Sequence, residues 1–217
     1  LFNAPSAIFV ITQEDIRRSG VRTLADALRM VPGLQISRGA NDSWHVGSRG
    51  FDGEFGNKLL VLIDGRTVYT PLFSGVYWDA NDVMIDDVDR IEVIRGPGST
   101  LWGSNAVNGV INISTKHAKD TLGGKATLAL GNVYGDSSLR YGFQLDEEES
   151  MFLRVYAKQR EFGALDQGRS STASGVDTND EWRSIQGGFR LDWDITESDS
   201  LTLSADAYEM SLVTDDL

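Results

Sequence analysis

A glycine-punctuated stretch, Arg95-Gly-Pro-Gly-Ser-Thr-Leu-Trp-Gly103, leads toward the alternating apolar residues of Val110 to Ser114. Glycine-rich loops beside strands often hold nucleotide phosphates, through backbone N–H groups aimed at the anion. These residues do not support that chemistry. A P-loop requires G-x-x-x-x-G-K-[ST]; Gly98 and Gly103 have the spacing, but Ser104 stands where the phosphate-binding lysine is needed. A dinucleotide fingerprint, G-x-G-x-x-G, starts at Gly96 and Gly98 and fails at Leu101. The glycines are expected instead to let the backbone turn tightly between Ile91–Ile94 and Val110–Ser114.

Other catalytic constellations are equally thin. The chain has two histidines, His45 and His117, and no cysteine, so a nucleophilic triad, a thiolate metal site or a disulfide scaffold has little to be built from. The aspartates lack the spacing of an EF-hand loop. The pair Asp86-Asp87 reads as the acidic start of a helix, where the helix dipole favours negative charge. The expectation is a protein that is not an enzyme and carries no cofactor. With 20 basic against 32 acidic side chains and a net charge of −12 in 217 residues, phosphate neutralisation fails and no nucleic-acid partner is expected.

The elements that position these residues fall into two grammars. In the first half, Ser6 to Thr12 reads as a strand, and Thr12-Gln-Glu-Asp15 resembles a capping box opening a helix that stops at Gly20. Thr23 opens a second helix, with Leu24, Leu28 and Val31 on one face and Pro32-Gly33 as its end. Strands are expected at Leu34–Ser37, around Val46, and at Leu59–Ile63, where Asp64-Gly65 predicts a type I′ hairpin into Arg66–Tyr69. The acidic run Asp82–Asp89 has apolar residues at helical spacing and predicts one or two helical turns. Strands at Ile91–Ile94 and Val110–Ser114 complete a small α+β unit.

After Lys116 helical periodicity vanishes. Ala126, Leu128 and Leu130, then Leu139 to Leu145, Met151 to Ala157, Ile185 to Ile195 and Leu201 to Ala207 all alternate apolar with polar residues. The intervening loops near 131–136 and 161–181 are read as long, those at 146–150 and 196–200 as short. No apolar run approaches the roughly 20 residues of a transmembrane helix. Alternating strands of about ten residues fit an outer-membrane β-barrel, and they fit equally a soluble antiparallel meander with one wet face.

The sequence blocks carry a family resemblance. Ile8-Phe-Val-Ile-Thr12, Thr23-Leu-Ala-Asp-Ala-Leu-Arg-Met-Val-Pro-Gly33, Gly47-Ser-Arg-Gly-Phe51, Leu60-Val-Leu-Ile-Asp-Gly-Arg66, Arg90-Ile-Glu-Val-Ile-Arg-Gly-Pro97 and Leu101-Trp-Gly103 followed by Asn108-Gly-Val-Ile-Asn-Ile113 stand in an order that resembles the plug domain of TonB-dependent outer-membrane receptors. The resemblance implies an α+β plug at 1–118, a small mixed sheet with short helices. It implies at 119–217 about five antiparallel strands of an incomplete transmembrane β-barrel. In such receptors a barrel of about 22 strands is closed by the plug. The implied function is active uptake across the bacterial outer membrane of a scarce ligand such as a ferric siderophore, haem or cobalamin. The plug would lie in the lumen and be accessible from the periplasm, with outer-membrane lipid around the complete barrel. TonB would be expected to supply force through a segment upstream of Leu1, outside this sequence. The alternative is a plugged-barrel surface receptor acting in signalling or partner binding without transport.

The resemblance also implies site residues. Plug loops that face outward offer Trp44, His45, Phe55, Tyr69, Phe73, Tyr77 and Trp78 for ligand contact, aromatic rings being suited to stack on catecholate or porphyrin. Some of those rings could equally pack the plug itself, and His45 could be a plain hydrogen-bonding residue rather than a metal ligand. Arg49 and Arg95, inside the RGF and RGP blocks, are expected to pair with carboxylates of the barrel wall, since a guanidinium fork suits carboxylates. The alternative is local pairing with Asp89 or Glu92.

Overall fold

The computed structural model describes residues 7–38, 44–50, 56, 58–70, 72, 75–96, 98, 102–131, 134–162 and 182–212. The chain divides into two compact units, Leu1–Lys116 and His117–Leu217.

The first unit begins with β1 (Ala7–Thr12), which feeds directly into α1 (Gln13–Ser19). Thr12 is the N-cap: its hydroxyl accepts the Asp15 N–H while the Asp15 carboxylate takes the Thr12 N–H, the expected capping box. Gly20, at φ 72°, ends the helix in the left-handed conformation. Thr23 caps α2 (Leu24–Leu28). This helix is shorter than its apolar spacing predicts: the amides of Arg29, Met30 and Val31 bond three residues back, so the chain tightens before Pro32 instead of continuing.

A hairpin of β2 (Leu34–Arg38) and β3 (Trp44–Ser48) follows. The main sheet takes β4 (Leu59–Ile63), β5 (Arg66–Thr67), β6 (Val88–Arg95) and β7 (Gly109–Thr115), in the order β1-β6-β7-β4-β5. Among the described strands only the β4–β7 pair is parallel. Strand β4 is buried at all five positions, as its unbroken aliphatic run requires. One face, with Val61, Ile63, Ile91, Val93, Ile111 and Ile113, packs on Ile16 of α1 and on Leu24 and Leu28 of α2. On the other face Leu60 and Leu62 cluster with Ala106 and Val110.

Asp64 and Gly65, at φ 48° and 77°, form the two-residue turn expected between β4 and β5. Asp64 also accepts the Thr115 N–H at 2.7 Å and its hydroxyl at 2.8 Å, which ties the turn to the end of β7. Strand β5 is two residues long rather than four, because the chain leaves the ladder after the Val68 N–H bonds the Val61 carbonyl, and Thr70 bridges Gly75 instead. The acidic run 82–89 makes only one 3₁₀ turn, Ile85–Asp87; its last residues already belong to β6, where Val88 is fully buried. Pairing with β7 claims them for the sheet.

Among the described glycines of this unit, Gly109 meets the tightest approach. Its φ is 153°, and a Cβ there would sit 2.4 Å from the Ile94 carbonyl oxygen, a backbone atom that cannot swing aside. Gly109→Ala is expected to cost about 1–3 kcal/mol by forcing β6 and β7 apart. A lowered thermal midpoint checks this; an unchanged one would mean that the pair relaxes freely.

The second unit is a five-stranded antiparallel meander: β8 (Gly123–Leu130), β9 (Tyr134–Gln144), β10 (Met151–Phe162), β11 (Trp182–Asp194) and β12 (Ser200–Leu212). The connection from β8 to β9 spans only 131–133, so the expected long first loop is in fact short, and the loop lengths do not alternate at that point. The turn after β9 is built on Asp146, which accepts the Ser150 hydroxyl and the N–H groups of Ser150 and Met151. Those bonds, the Ser150 hydroxyl foremost, hold its carboxyl below the usual range.

The burial of this sheet is inverted relative to a soluble meander. Leu128, Leu130 and Leu139 are 70, 79 and 61 % exposed, whereas Arg154, Arg160 and Asp192 are 5, 3 and 1 % exposed. One face therefore turns aliphatic and aromatic side chains outward, and the other carries the charges inward. A sheet evolved for water on its outer face places these groups the other way round.

The segment entering this unit, a 3₁₀ turn at Ala118–Thr121, is fixed to the strands. Asp192 of β11 accepts the Ala118 N–H at 2.8 Å, the Arg190 guanidinium at 2.8 Å and the Thr202 hydroxyl of β12 at 2.7 Å. The Thr121 carbonyl lies where a side chain on residue 142 would be, which only Gly142 allows.

Candidate functional site

The candidate site lies in the first unit and is built on the ends of β3, β6 and β7. The glycine stretch that could have been a phosphate cradle is the connection from β6 to β7. The Gly96 N–H bonds to the Asn108 carbonyl and the Gly98 N–H to the Ala106 carbonyl, extending the β6–β7 pairing past the strand ends. The amides of Gly96 and Gly98, the described glycines at its start, are therefore taken up by this ladder. Trp102, 41 % exposed, and Val107, 48 % exposed, stand on this connection.

Arg49 and Arg95 emerge at neighbouring backbone points. Asn108 donates its side-chain N–H to the Ser48 carbonyl at 3.3 Å, one residue before Arg49, and its own carbonyl takes the Gly96 N–H at 3.1 Å, one residue after Arg95. Its backbone N–H goes to the Lys58 carbonyl at 2.8 Å. This one buried amide joins three segments far apart in sequence. Its place in the Asn108–Ile113 block was visible, but no local pattern marks a bond across 60 residues.

Arg49 is exposed and has φ 60°, a left-handed conformation that costs a residue of its type about 1–3 kcal/mol. Arg95 donates to the Pro32 carbonyl at 3.1 Å, and its buried Nε has no hydrogen-bond partner among the described residues. The local carboxylates are engaged elsewhere: Asp89 and Glu92 both receive the guanidinium of Arg90. Glu92 also accepts the Asn112 amide, and these two bonds, Asn112 foremost, hold its carboxyl below the ordinary glutamate range.

The aromatic candidates divide. Trp44 and Trp78 are each 7 % exposed and belong to the main core cluster. With Val46, Gly56, Leu59, Val61 and Val76 they line a small cleft. The Trp44 ring also lies under the guanidinium groups of Arg29 and Arg38, at 5.4 and 5.8 Å from its centroid. Tyr69 is partly buried; its hydroxyl donates to the Leu59 carbonyl, and burial pushes its pKa up to about 12. Tyr77 is 44 % exposed, on a turn whose carbonyl accepts both the backbone and side-chain N–H of Asn81. His45 is half-buried on β3, opposite Ser37. Phe55 and Phe73 lie outside the described residues. Among the described residues, no three histidine or acidic side chains gather as for a metal ion. No described helix is long and apolar enough to cross a membrane, which says nothing of strands.

Comparison with known proteins places this architecture. The family model of the TonB-dependent receptor plug domain matches residues 1–110. The chain is 34 % identical over 125 residues to the vitamin B12 transporter BtuB of Vibrio vulnificus, an alignment covering 57 % of this chain and 20 % of that protein. It is 36 % identical over 132 residues to the iron-regulated outer membrane virulence protein of Vibrio cholerae, covering 58 % and 20 %. Among solved structures it resembles the siderophore receptor PirA from Pseudomonas aeruginosa, with a TM-score of 0.69 and 25 % identity over 97 % of this chain and 36 % of that one. The chain thus spans about a fifth of the length of these curated relatives. With the family model covering the first unit and a receptor of the same architecture matching nearly all of its length, the chain belongs to the TonB-dependent receptors, as a plug followed by antiparallel barrel strands.

Proposed function

We propose that the complete protein is an outer-membrane receptor for active uptake of a scarce ligand such as a ferric siderophore, haem or cobalamin. Residues 1–118 act as the plug that gates the lumen, and 119–217 are the opening strands of the barrel. The inverted burial of the meander carries this reading: its apolar face suits lipid, and its charged face suits a polar lumen. The relatives' names, a vitamin B12 transporter and a siderophore receptor, point the same way. The protein performs no covalent chemistry; it captures ligand outside and releases it inside when TonB pulls on a segment upstream of Leu1. Arg49 and Arg95 meet carboxylates of the barrel wall, and the engagement of Asp89 and Glu92 by Arg90 supports that choice of partner. Within the ligand set Tyr77 is exposed, and His45 and Tyr69 are half-buried, with the Tyr69 hydroxyl taken by the Leu59 carbonyl; Tyr77 and His45 are therefore the ones proposed to touch ligand.

The test uses the full receptor with ferric siderophores, haem and cobalamin in calorimetry, and accumulation of the bound ligand in cells with and without TonB. One ligand class is expected to bind and to accumulate only when TonB is present. Tyr77→Ala is expected to weaken binding about tenfold, equivalent to about 1.4 kcal/mol, without lowering the unfolding midpoint. Binding without TonB-dependent accumulation would reject uptake in favour of a receptor that signals or docks a partner.

A further inference from the structure

Four described non-glycine residues have positive φ: Arg49, Asp64, Asn105 and Glu149. Asp64 and Asn105 are types that tolerate this region, and Asp64 sits in a turn that demands it. Arg49 is not such a type, and it is followed by Gly50 at φ 81°, so two successive residues are left-handed. A strained conformation of this kind persists only where the surroundings fix it from more than one side. Both flanking peptide groups are in fact held by side chains. The Ser48 carbonyl accepts from Asn108 Nδ2, and the Gly50 N–H donates to Gln35 Oε1 at 3.1 Å. Asn108 is 8 % exposed and is itself anchored at both ends of its own peptide unit, to Lys58 and Gly96.

From this we infer that Asn108 and Gln35 are positioning residues for Arg49. They hold it in its strained outward conformation and, through Asn108, couple its turn to the backbone next to Arg95. The inference rests on the proposed pairing of Arg49 and Arg95 with wall carboxylates and assigns how the pair is presented. Asn108 has the chemistry required: its amide donates to one strand end while its backbone serves two others. A carboxylate of the same shape would face the Ser48 carbonyl with an acceptor and repel it.

The experiment uses the full receptor and two independent readouts. Amide exchange is measured at Gly50 in Asn108→Asp and Gln35→Ala, and uptake is measured for Arg49→Ala in the native and Asn108→Asp backgrounds. Exchange at Gly50 is expected to accelerate at least tenfold in both variants while amides of 59–63 and 109–115 keep their native protection. Adding Arg49→Gly to Asn108→Asp is expected to restore part of the protection, because glycine adopts this φ without strain. Arg49→Ala is expected to lower uptake at least tenfold in the native background and less than twofold further beside Asn108→Asp. Unchanged Gly50 exchange, or an equal Arg49→Ala effect in both backgrounds, overturns the positioning role. A native-like uptake of Arg49→Ala alone would reject the wall contact, and Gly50 exchange would still decide whether Asn108 and Gln35 fix the turn.

Discussion

Asp192→Ala is expected to lower the stability of the receptor by about 3–5 kcal/mol, the range for breaking a buried charged pair. The carboxylate is 1 % exposed and gathers the Ala118 N–H, the Arg190 guanidinium and the Thr202 hydroxyl, with His117 Nδ1 at 3.7 Å. Truncation takes the carboxylate away from a largely buried guanidinium and from the buried Ala118 N–H, and each loss carries part of the cost of desolvating the group that remains. A graded series separates the anchor from general packing. Asp192→Asn keeps the volume and an acceptor and should lose less; Thr202→Val removes one hydroxyl and should lose about 1 kcal/mol. Chemical unfolding of the detergent-solubilised receptor gives the order, and exchange at the Ala118 amide reports the broken bond directly. A Thr202→Val loss equal to that of Asp192→Ala would show that the carboxylate is not the centre of the network.

The position of this anchor gives it a mechanical sense. Residues 117–121 are the first of the second unit, so any load that travels along the chain from the first unit reaches the sheet through them. Three strands of the sheet share the attachment: β9 through the approach to Gly142, β11 through Asp192 and β12 through Thr202. In the receptor proposed above, the plug must be moved by force while remaining tied to the barrel. A buried, charge-assisted network on β11 and β12, with the close approach to β9 beside it, meets that need better than a single exposed contact.

Local chemistry made much of the fold legible. Thr12 and Asp15 announce a capping box by type and spacing, and Asp64-Gly65 announces its turn because both positions require positive φ. The family blocks are readable for the same reason: they are short and contiguous. What was not legible depends on partners distant in sequence. The run 82–89 has helical spacing, yet pairing with β7 draws its end into a strand. Alternation showed that the later strands have two unlike faces, but not which one is buried; the buried Arg154 and Asp192 decide that. Asn108 and Asp192 act across 60 and 74 residues, distances at which a sequence carries no spacing to read. Trp44 had a weak signal: with Val46 it alternates along β3 toward one face, as a core residue does.

That signal bears on the second large effect. Trp44→Ala is expected to destabilise the first unit by about 3–5 kcal/mol, the range for truncating a buried large aromatic. The ring is 7 % exposed, packs in the main cluster, and borders the cleft shared with Leu59, Val61 and Trp78, so its loss enlarges an existing gap that the rigid β4–β7 pair cannot close. Removal also strips the guanidinium groups of Arg29 and Arg38 of the face they lie over, a further loss of about 0.5–1 kcal/mol for each at such a partly solvated site. Trp44→Phe keeps an aromatic face and much of the volume and should lose less than half as much. The two roles offered by sequence, ligand platform and core residue, then part cleanly. If Trp44 is core, ligand affinity falls in Trp44→Ala only in step with the loss of folded protein, and the survivors bind normally. If affinity falls in protein whose thermal midpoint is native, Trp44 is a ligand contact. The burial of its ring predicts the first outcome, whereas exposed Tyr77 should show the second.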